Sequence, residues 1–145
     1  MSEISKNSTV IDAPISAVAE VLTDLASYPS WSSAIKSVEV QSKDDSGRVT
    51  KAKISIDAGV MKDRVVLDYE WSKSPNEITF SLDEADLLTE MSGAYKLSDN
   101  GDDTTTVSYE LTVALSMNVP AMMRQKAERS TIDLALSQLK AKLEG

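Results

Sequence analysis

The chain has 145 residues, of which 41% are hydrophobic, and its formal net charge is −8. This length predicts a single domain spanning residues 1–145, and the acidic balance disfavours nucleic acid and anionic membrane surfaces as partners. The sequence contains neither cysteine nor histidine, which excludes disulfides, zinc–thiolate sites, thiol nucleophiles and the commonest general base.

The N-terminal part of the chain predicts one strand followed by two helical segments. Residues 5–11 form the strand, and Asp12-Ala13-Pro14 ends it, since proline fits the first turn of a following helix. Apolar residues then recur at helical spacing from Ile15 to Leu25. The segment from Ser27 to Trp31 breaks that helix and begins a second short one that ends near Ile35.

The middle of the chain alternates apolar and polar residues in six segments, which predicts antiparallel strands. We expect the apolar face of these strands to point inward. That face carries Val38 and Val40; Ala52, Ile54 and Ile56; Val65, Leu67, Tyr69 and Trp71; Ile78, Phe80 and Leu82; Thr89, Met91, Gly93, Tyr95 and Leu97; and Val107, Tyr109, Leu111, Val113 and Leu115.

A long amphipathic helix is predicted at the C-terminus, from Asn118 to Glu144. A single curved antiparallel sheet buries its inner face most readily against such a helix. If the sheet bends around the helix, an apolar gap opens between them, and such a gap is suited to an apolar molecule. The elements therefore predict an α+β fold in which about seven strands wrap around the C-terminal helix.

The sequence also carries expectations about location and assembly. No stretch has the length of a membrane span, and the N-terminus lacks the basic and apolar pattern of a secretory signal. We therefore expect a cytoplasmic protein without stable membrane insertion, either a monomer or a weak homodimer.

Six segments in a fixed order carry a family resemblance. They are Ile11-Asp12-Ala13-Pro14, Ala26-Ser27-Tyr28-Pro29-Ser30-Trp31, Ile35-Lys36-Ser37-Val38-Glu39, Gly93-Ala94-Tyr95-Lys96-Leu97, residues 104–109 and residues 135–140. Together they make the chain similar to the START-like (SRPBCC) superfamily with the helix-grip fold, in its bacterial polyketide cyclase/dehydrase and lipid-transport branch. The resemblance implies a ligand cavity between sheet and helix. It leaves function open, because members include lipid carriers, quinone-binding proteins and ring cyclases.

The candidate site residues lie on the inner face and on the terminal helix. The expected cavity-lining set is Trp31, Ile54, Ile56, Leu67, Tyr69, Trp71, Phe80, Met91, Tyr95, Tyr109, Met122 and Met123, with Met61 and Met117 as further thioethers. The resemblance places Trp31 at one wall or lid of the cavity mouth. Arg124 and Lys126 are the candidates for holding a carboxylate or phosphate. The competing interpretation is that the apolar set is only core and the charges are only solvated surface.

Three functions stay open. The first is binding or carriage of a hydrophobic or amphipathic small molecule (a lipid, isoprenoid, quinone or polyketide-like ring) by a non-enzymatic protein without metal or cofactor. The second is a polyketide cyclase/dehydratase, whose acid–base steps would fall to tyrosine, arginine, lysine or a carboxylate. The alternation puts the carboxylates of Glu70, Asp83, Glu90 and Glu110 on the outer face. The third is a protein-interaction module with an exposed apolar patch.

Overall fold

A computed structural model describes residues 5–57, 62–73, 76–115 and 119–144. The N-terminal elements are β1 (Ser5–Ile11), α1 (Ile15–Thr23), a 3-10 turn (Leu25–Ser27) and α2 (Tyr28–Trp31). The strands that follow are β2 (Ile35–Lys43), β3 (Val49–Asp57), β4 (Lys62–Glu70), β5 (Glu77–Ala85), β6 (Leu88–Asp99) and β7 (Thr105–Leu115). The last element is α3 (Ala121–Glu144); Asn118, where the sequence predicts its start, lies outside the described residues.

The seven strands form one antiparallel sheet in the order β1-β7-β6-β5-β4-β3-β2. The first strand therefore pairs with the last, and α3 packs back against these two strands. The predicted α+β architecture is confirmed: a curved antiparallel sheet, two short helices between its first two strands, and a long C-terminal helix.

Two bulges bend the sheet where β5 and β6 meet. The pairing of β4 with β5 shifts between Val66 and Leu67, which leaves Asp83 as an extra residue in β5. The pairing of β6 with β7 shifts between Leu88 and Glu90, which leaves Thr89 extra. An extra residue bends its strand and increases the local twist, so the two bulges bend this end of the sheet.

The second bulge corrects one prediction from the sequence. Alternation places Thr89 on the same face as Met91, but Thr89 is exposed and Leu88 is buried in its place. The extra residue moves the side chains before it to the opposite face. Leu88 therefore joins the inner face at the end of the sheet nearest the start of α3.

One buried carboxylate ties the N-terminal half of α3 to the sheet. Glu128 accepts hydrogen bonds from the Ser5 hydroxyl of β1 (2.7 Å) and the Val113 N–H of β7 (2.7 Å). Its remaining partner is the Arg124 guanidinium, whose Nη1 lies 3.1 Å away. The Glu128 side chain is 0% exposed, so these three donors replace the water that the charge has lost.

The C-terminal half of α3 is held to the sheet by apolar packing and by contacts at its end. Ile132, Leu136 and Leu139 are buried against the core. Lys140 Nζ donates to the Val10 carbonyl at 2.7 Å, and the Asp12 N–H donates to the Glu144 carboxylate at 2.8 Å. The helix is therefore fixed to β1 and its following turn at this end and to β1 and β7 at the other.

Replacing the buried carboxylate tests this attachment. We expect Glu128→Ala to lower the free energy of unfolding by about 3 kcal/mol, because it strips buried donors of their acceptor. Urea denaturation measures the loss. The matched control is Glu20→Ala on α1, an exposed glutamate for which a change within about 0.5 kcal/mol is expected. Equal losses in the two variants would contradict the assigned role.

Candidate functional site

The concave side of the sheet gathers the aromatic residues of the chain. Tyr95 and Tyr109 face each other across β6 and β7 and stack with their ring centroids 4.2 Å apart. Tyr69 lies between Trp71 and Phe80, with both ring centroids at 5.7 Å. These rings form a continuous aromatic wall across the four strands β4 to β7.

All four tyrosines of the chain bring their hydroxyl groups together in this interior. Burial raises the pKa of Tyr28, Tyr69, Tyr95 and Tyr109, and each of the first three is raised further by at least one neighbouring phenol. Tyr28 donates to the Leu22 carbonyl at 2.5 Å, and the Tyr95 and Tyr109 phenols lie side by side in their stacked rings. The four groups are therefore uncharged donors at neutral pH.

Tyr69 is the least buried of the four tyrosines. It is only partly buried although it lies on the concave face, and its hydroxyl takes part in none of the hydrogen bonds among the described residues. Burial raises its pKa, so the phenol is a protonated donor without a protein partner in those ranges.

Trp31 supplies a second donor without a partner. The residue is 9% exposed and packs on Tyr28 with ring centroids 5.0 Å apart. Its Nε1 is buried and has no hydrogen-bond partner within the described part of the chain. A buried N–H left unpaired costs free energy, which an acceptor atom of a bound molecule would recover.

A cleft of about 540 Å³ opens where the sheet meets the first turns of α3. Its apolar lining is Leu87, Leu88, Val113, Leu115, Val119, Met123 and Ala127, and its polar lining is Lys62, Arg124 and Lys126. The lining within the described ranges contains cations and no carboxylate. Leu88 and Val113 also belong to the buried core, so core side chains form part of the cleft wall.

Asp63 shapes one wall of this cleft. Its carboxylate accepts hydrogen bonds from the backbone N–H groups of Asp86, Leu87 and Leu88 at 2.8–3.2 Å. These bonds hold the turn between β5 and β6 so that Leu87 is presented at the mouth and Leu88 lies inside. Arg64, the next residue, pairs with Asp86 at 3.1 Å on the outside of the same turn.

The predicted cavity-lining residues fall into two groups. The inner-face set Ile54, Ile56, Leu67, Tyr69, Trp71, Phe80, Met91, Tyr95 and Tyr109, together with Trp31, belongs to one core cluster or packs on it. Met123 reaches the cleft with Arg124 and Lys126, whereas Met122 is 81% exposed and lies outside the cleft lining. Met61 and Met117 lie outside the described residues. Contact of any of them with a ligand stays a prediction.

Sequence reasoning missed the residues that complete the cleft, among them Lys62, Leu87, Leu88 and Ala127. They come from three separate elements that meet only after folding. One signal was present in the sequence: Leu87 and Leu88 form an apolar pair directly after an acidic turn, where polar residues are usual.

Gly93 lies opposite Phe80 on one side and Leu111 on the other, with no register shift at that point. A Cβ at this position would overlap the Phe80 ring and come within 2.9 Å of the Glu110 carbonyl oxygen. The glycine therefore makes room for the Phe80 ring over β6.

Two absences within the described ranges bear on the chemistry. Among the described residues, no group of three or more metal-ligating side chains lies together. Within the same ranges, no helix has the length and apolar character needed to cross a membrane.

The sequence matches the family described as polyketide cyclase / dehydrase and lipid transport over residues 4–144. The chain therefore belongs to this family, whose fold is the START-like helix-grip fold predicted from the sequence.

Solved structures show the same fold at low sequence identity. A START superfamily protein from Mycobacterium smegmatis is 18% identical with a TM-score of 0.91, covering 97% of both chains. The Zhui aromatase/cyclase from Streptomyces sp. R1128 is 13% identical with a TM-score of 0.79, covering 98% of this chain and 93% of its own. A protein from Thermus thermophilus, TTHA0849, is 18% identical, with a TM-score of 0.75 and coverages of 97% and 99%. No curated protein sequence matches.

The raised phenol pKa values predict the alkaline behaviour of the protein. The unfolded chain loses tyrosine protons as the pH passes 10.0, the ordinary value, whereas the folded chain keeps them. Stability is therefore full below that pH and declines above it. We expect tyrosinate absorbance to rise together with loss of circular dichroism, in one step. A gradual rise of tyrosinate absorbance near pH 10.0 in the still-folded protein would contradict the burial of the phenols. The absorbance of the urea-unfolded chain over the same pH range is the control.

Proposed function

We propose that this protein binds a hydrophobic or amphipathic small molecule between the sheet and α3, with the cleft beside the first turns of α3 as its entrance. The observation that carries the proposal is the apolar cleft of about 540 Å³, which adjoins the core at Leu88 and Val113. Clefts of several hundred Å³ lined by apolar side chains with a few polar groups are the usual form of small-molecule sites.

Desolvation of the ligand's apolar body supplies the driving force. Burying about 300 Å² of apolar ligand surface contributes about 7 kcal/mol at about 25 cal/mol per Å², before the costs of association are subtracted. That magnitude is compatible with a carrier that takes up and releases its ligand. A lipid, an isoprenoid, a quinone and a polyketide-like ring all have a suitable apolar body.

Polar groups at two depths would orient the ligand. In the interior, the Tyr69 hydroxyl and Trp31 Nε1 are donors without protein partners among the described residues, so they favour a neutral oxygen acceptor such as a carbonyl. At the mouth, Lys62, Arg124 and Lys126 favour an anionic group. Arg124 already pairs with Glu128 and Lys62 pairs with Asp57 at 3.7 Å, which leaves Lys126 as the most available of the three cations.

One observation favours the cyclase/dehydratase alternative, namely the cluster of protonated phenols. A phenol that donates a hydrogen bond to a ligand carbonyl polarises that carbonyl. Proton abstraction needs a base as well, and burial keeps these phenols protonated. Glu128, the buried carboxylate, already holds three donors. A binding function therefore explains more of the site's features than a catalytic function does.

Native mass spectrometry of the gently purified protein, followed by organic extraction, is the direct experiment. We expect a stoichiometric apolar adduct whose extraction names the chemical class. Incubation with a long-chain fatty acid, a prenyl alcohol and a naphthoquinone covers the case of a ligand lost in purification. An unliganded mass before and after all three incubations would overturn the proposal.

Filling the cleft should remove binding. Ala127 lines the cleft on α3, and we expect Ala127→Trp to weaken the affinity for a fluorescent fatty acid at least about tenfold, because the indole occupies the space of the ligand. Fluorescence titration measures the affinity. Ala141→Trp, at an exposed position of the same helix, is the matched control and should bind as the parent does. Unchanged affinity in a folded Ala127→Trp would place the ligand elsewhere.

A further inference from the structure

The mouth of the cleft carries apolar side chains that point into solvent. Leu87 is 50% exposed, Met123 63% and Met122 81%. They account for three of the five large hydrophobic side chains that are exposed in the described ranges, and the other two, Val10 and Val40, lie on the separate strands β1 and β2. We call Leu87, Met122, Met123, Lys62, Arg124 and Lys126 the mouth rim.

The mouth rim is basic in an acidic protein. Each of four other surface depressions is lined by at least two carboxylates, for example Glu20 and Asp24 beside α1. The cleft lining has three cations and no carboxylate among the described residues. Arg124 pairs with Glu128 and Lys62 with Asp57, whereas Lys126 forms none of the ion pairs among the described residues. The first turn of α3 has no acidic residue, so the positive end of the helix dipole adds to the local field.

We propose that the mouth rim docks onto the surface of an anionic phospholipid bilayer. Exposed apolar side chains beside lysine and arginine are the combination that inserts shallowly at a lipid interface while pairing with anionic head groups. The repulsion expected from the net charge of −8 is largely screened beyond about 8 Å at physiological salt.

The size of the patch favours a bilayer over a protein partner. A stable protein interface takes about 20–30 residues a side, whereas the rim offers three exposed apolar side chains. Three side chains are enough for peripheral attachment when cations assist them. Docking in this position would turn the cleft toward the lipid, so that an apolar ligand could pass between membrane and protein without crossing water.

Vesicle cosedimentation tests the charge component. We expect binding to phosphatidylcholine vesicles that contain phosphatidylglycerol to exceed binding to pure phosphatidylcholine by about tenfold. Lys126→Glu should abolish most of that preference. The matched control is Lys142→Glu, which makes the same change in net charge at an exposed position near the opposite end of α3. Its binding should be unchanged.

A second pair of variants tests the apolar component. Met122→Ser should weaken binding to the anionic vesicles at least about threefold, and Val10→Ser, which removes an exposed apolar side chain from the edge strand β1, should not. Both substitutions are at exposed positions, and thermal melting checks that each variant is folded.

Three results would overturn the proposal. The first is equal binding to charged and neutral vesicles, or no binding. The second is an equal loss in Lys126→Glu and Lys142→Glu. The third is concentration-dependent dimerisation in analytical ultracentrifugation that Met122→Ser removes, which would assign the rim to a second copy of the chain.

Membrane docking and ligand binding can be tested separately with the same protein variants. Met122 lies outside the cleft lining, so Met122→Ser should bind a fluorescent fatty acid in vesicle-free solution as the parent does. Loss of fatty-acid binding in Ala127→Trp with vesicle binding retained supports docking independently of the ligand. If the parent protein binds vesicles but no apolar ligand, the proposed function fails and the docking proposal stands.

Discussion

The attachment of α3 to the two strands beneath it depends on one buried negative charge. Glu128 collects donors from β1, from β7 and from its own helix, and nothing replaces those bonds if the carboxylate moves into water. The N-terminal half of α3 is consequently held to the β1–β7 side of the sheet. The cleft lies between the fixed helix and the curved strands.

The curvature comes from irregularity in the strands. Asp83 and Thr89 are each an extra residue beside the same turn, and Asp63 holds that turn through three backbone N–H groups. Bulges placed together bend the sheet at that point, whereas the β6–β7 pairing from Glu90 to Asp99 has no register shift. The regular part can then pack aromatic rings closely, as Tyr95 and Tyr109 do, while the bent part stays open.

Much of the fold follows from the sequence because alternation and helical spacing are local properties. Alternation identified Tyr69, Phe80 and Tyr95 as inward-facing. It failed at Thr89, because the alternating pattern of the sequence does not reveal a single inserted residue. Glu128 was missed because a glutamate is usually a surface residue. Its spacing from Ile132, Leu136 and Leu139, however, places it on the buried stripe of α3. The rest of the cleft lining could not be predicted, because Lys62, Leu87 and Ala127 become neighbours only in the folded chain.

The indole N–H groups of the two tryptophans differ in their hydrogen bonding. The Trp71 Nε1 donates to the Val49 carbonyl at 2.7 Å, while the Trp31 Nε1 is buried without a partner among the described residues. The fluorescence emission of an indole moves to longer wavelength when its surroundings become more polar or when its N–H gains an acceptor. The emission of Trp71 should therefore stay constant, while that of Trp31 should shift when a ligand binds beside it. The protein thus contains its own optical reporter of occupancy together with an internal reference, and Trp31 can be followed alone once Trp71 is replaced by phenylalanine.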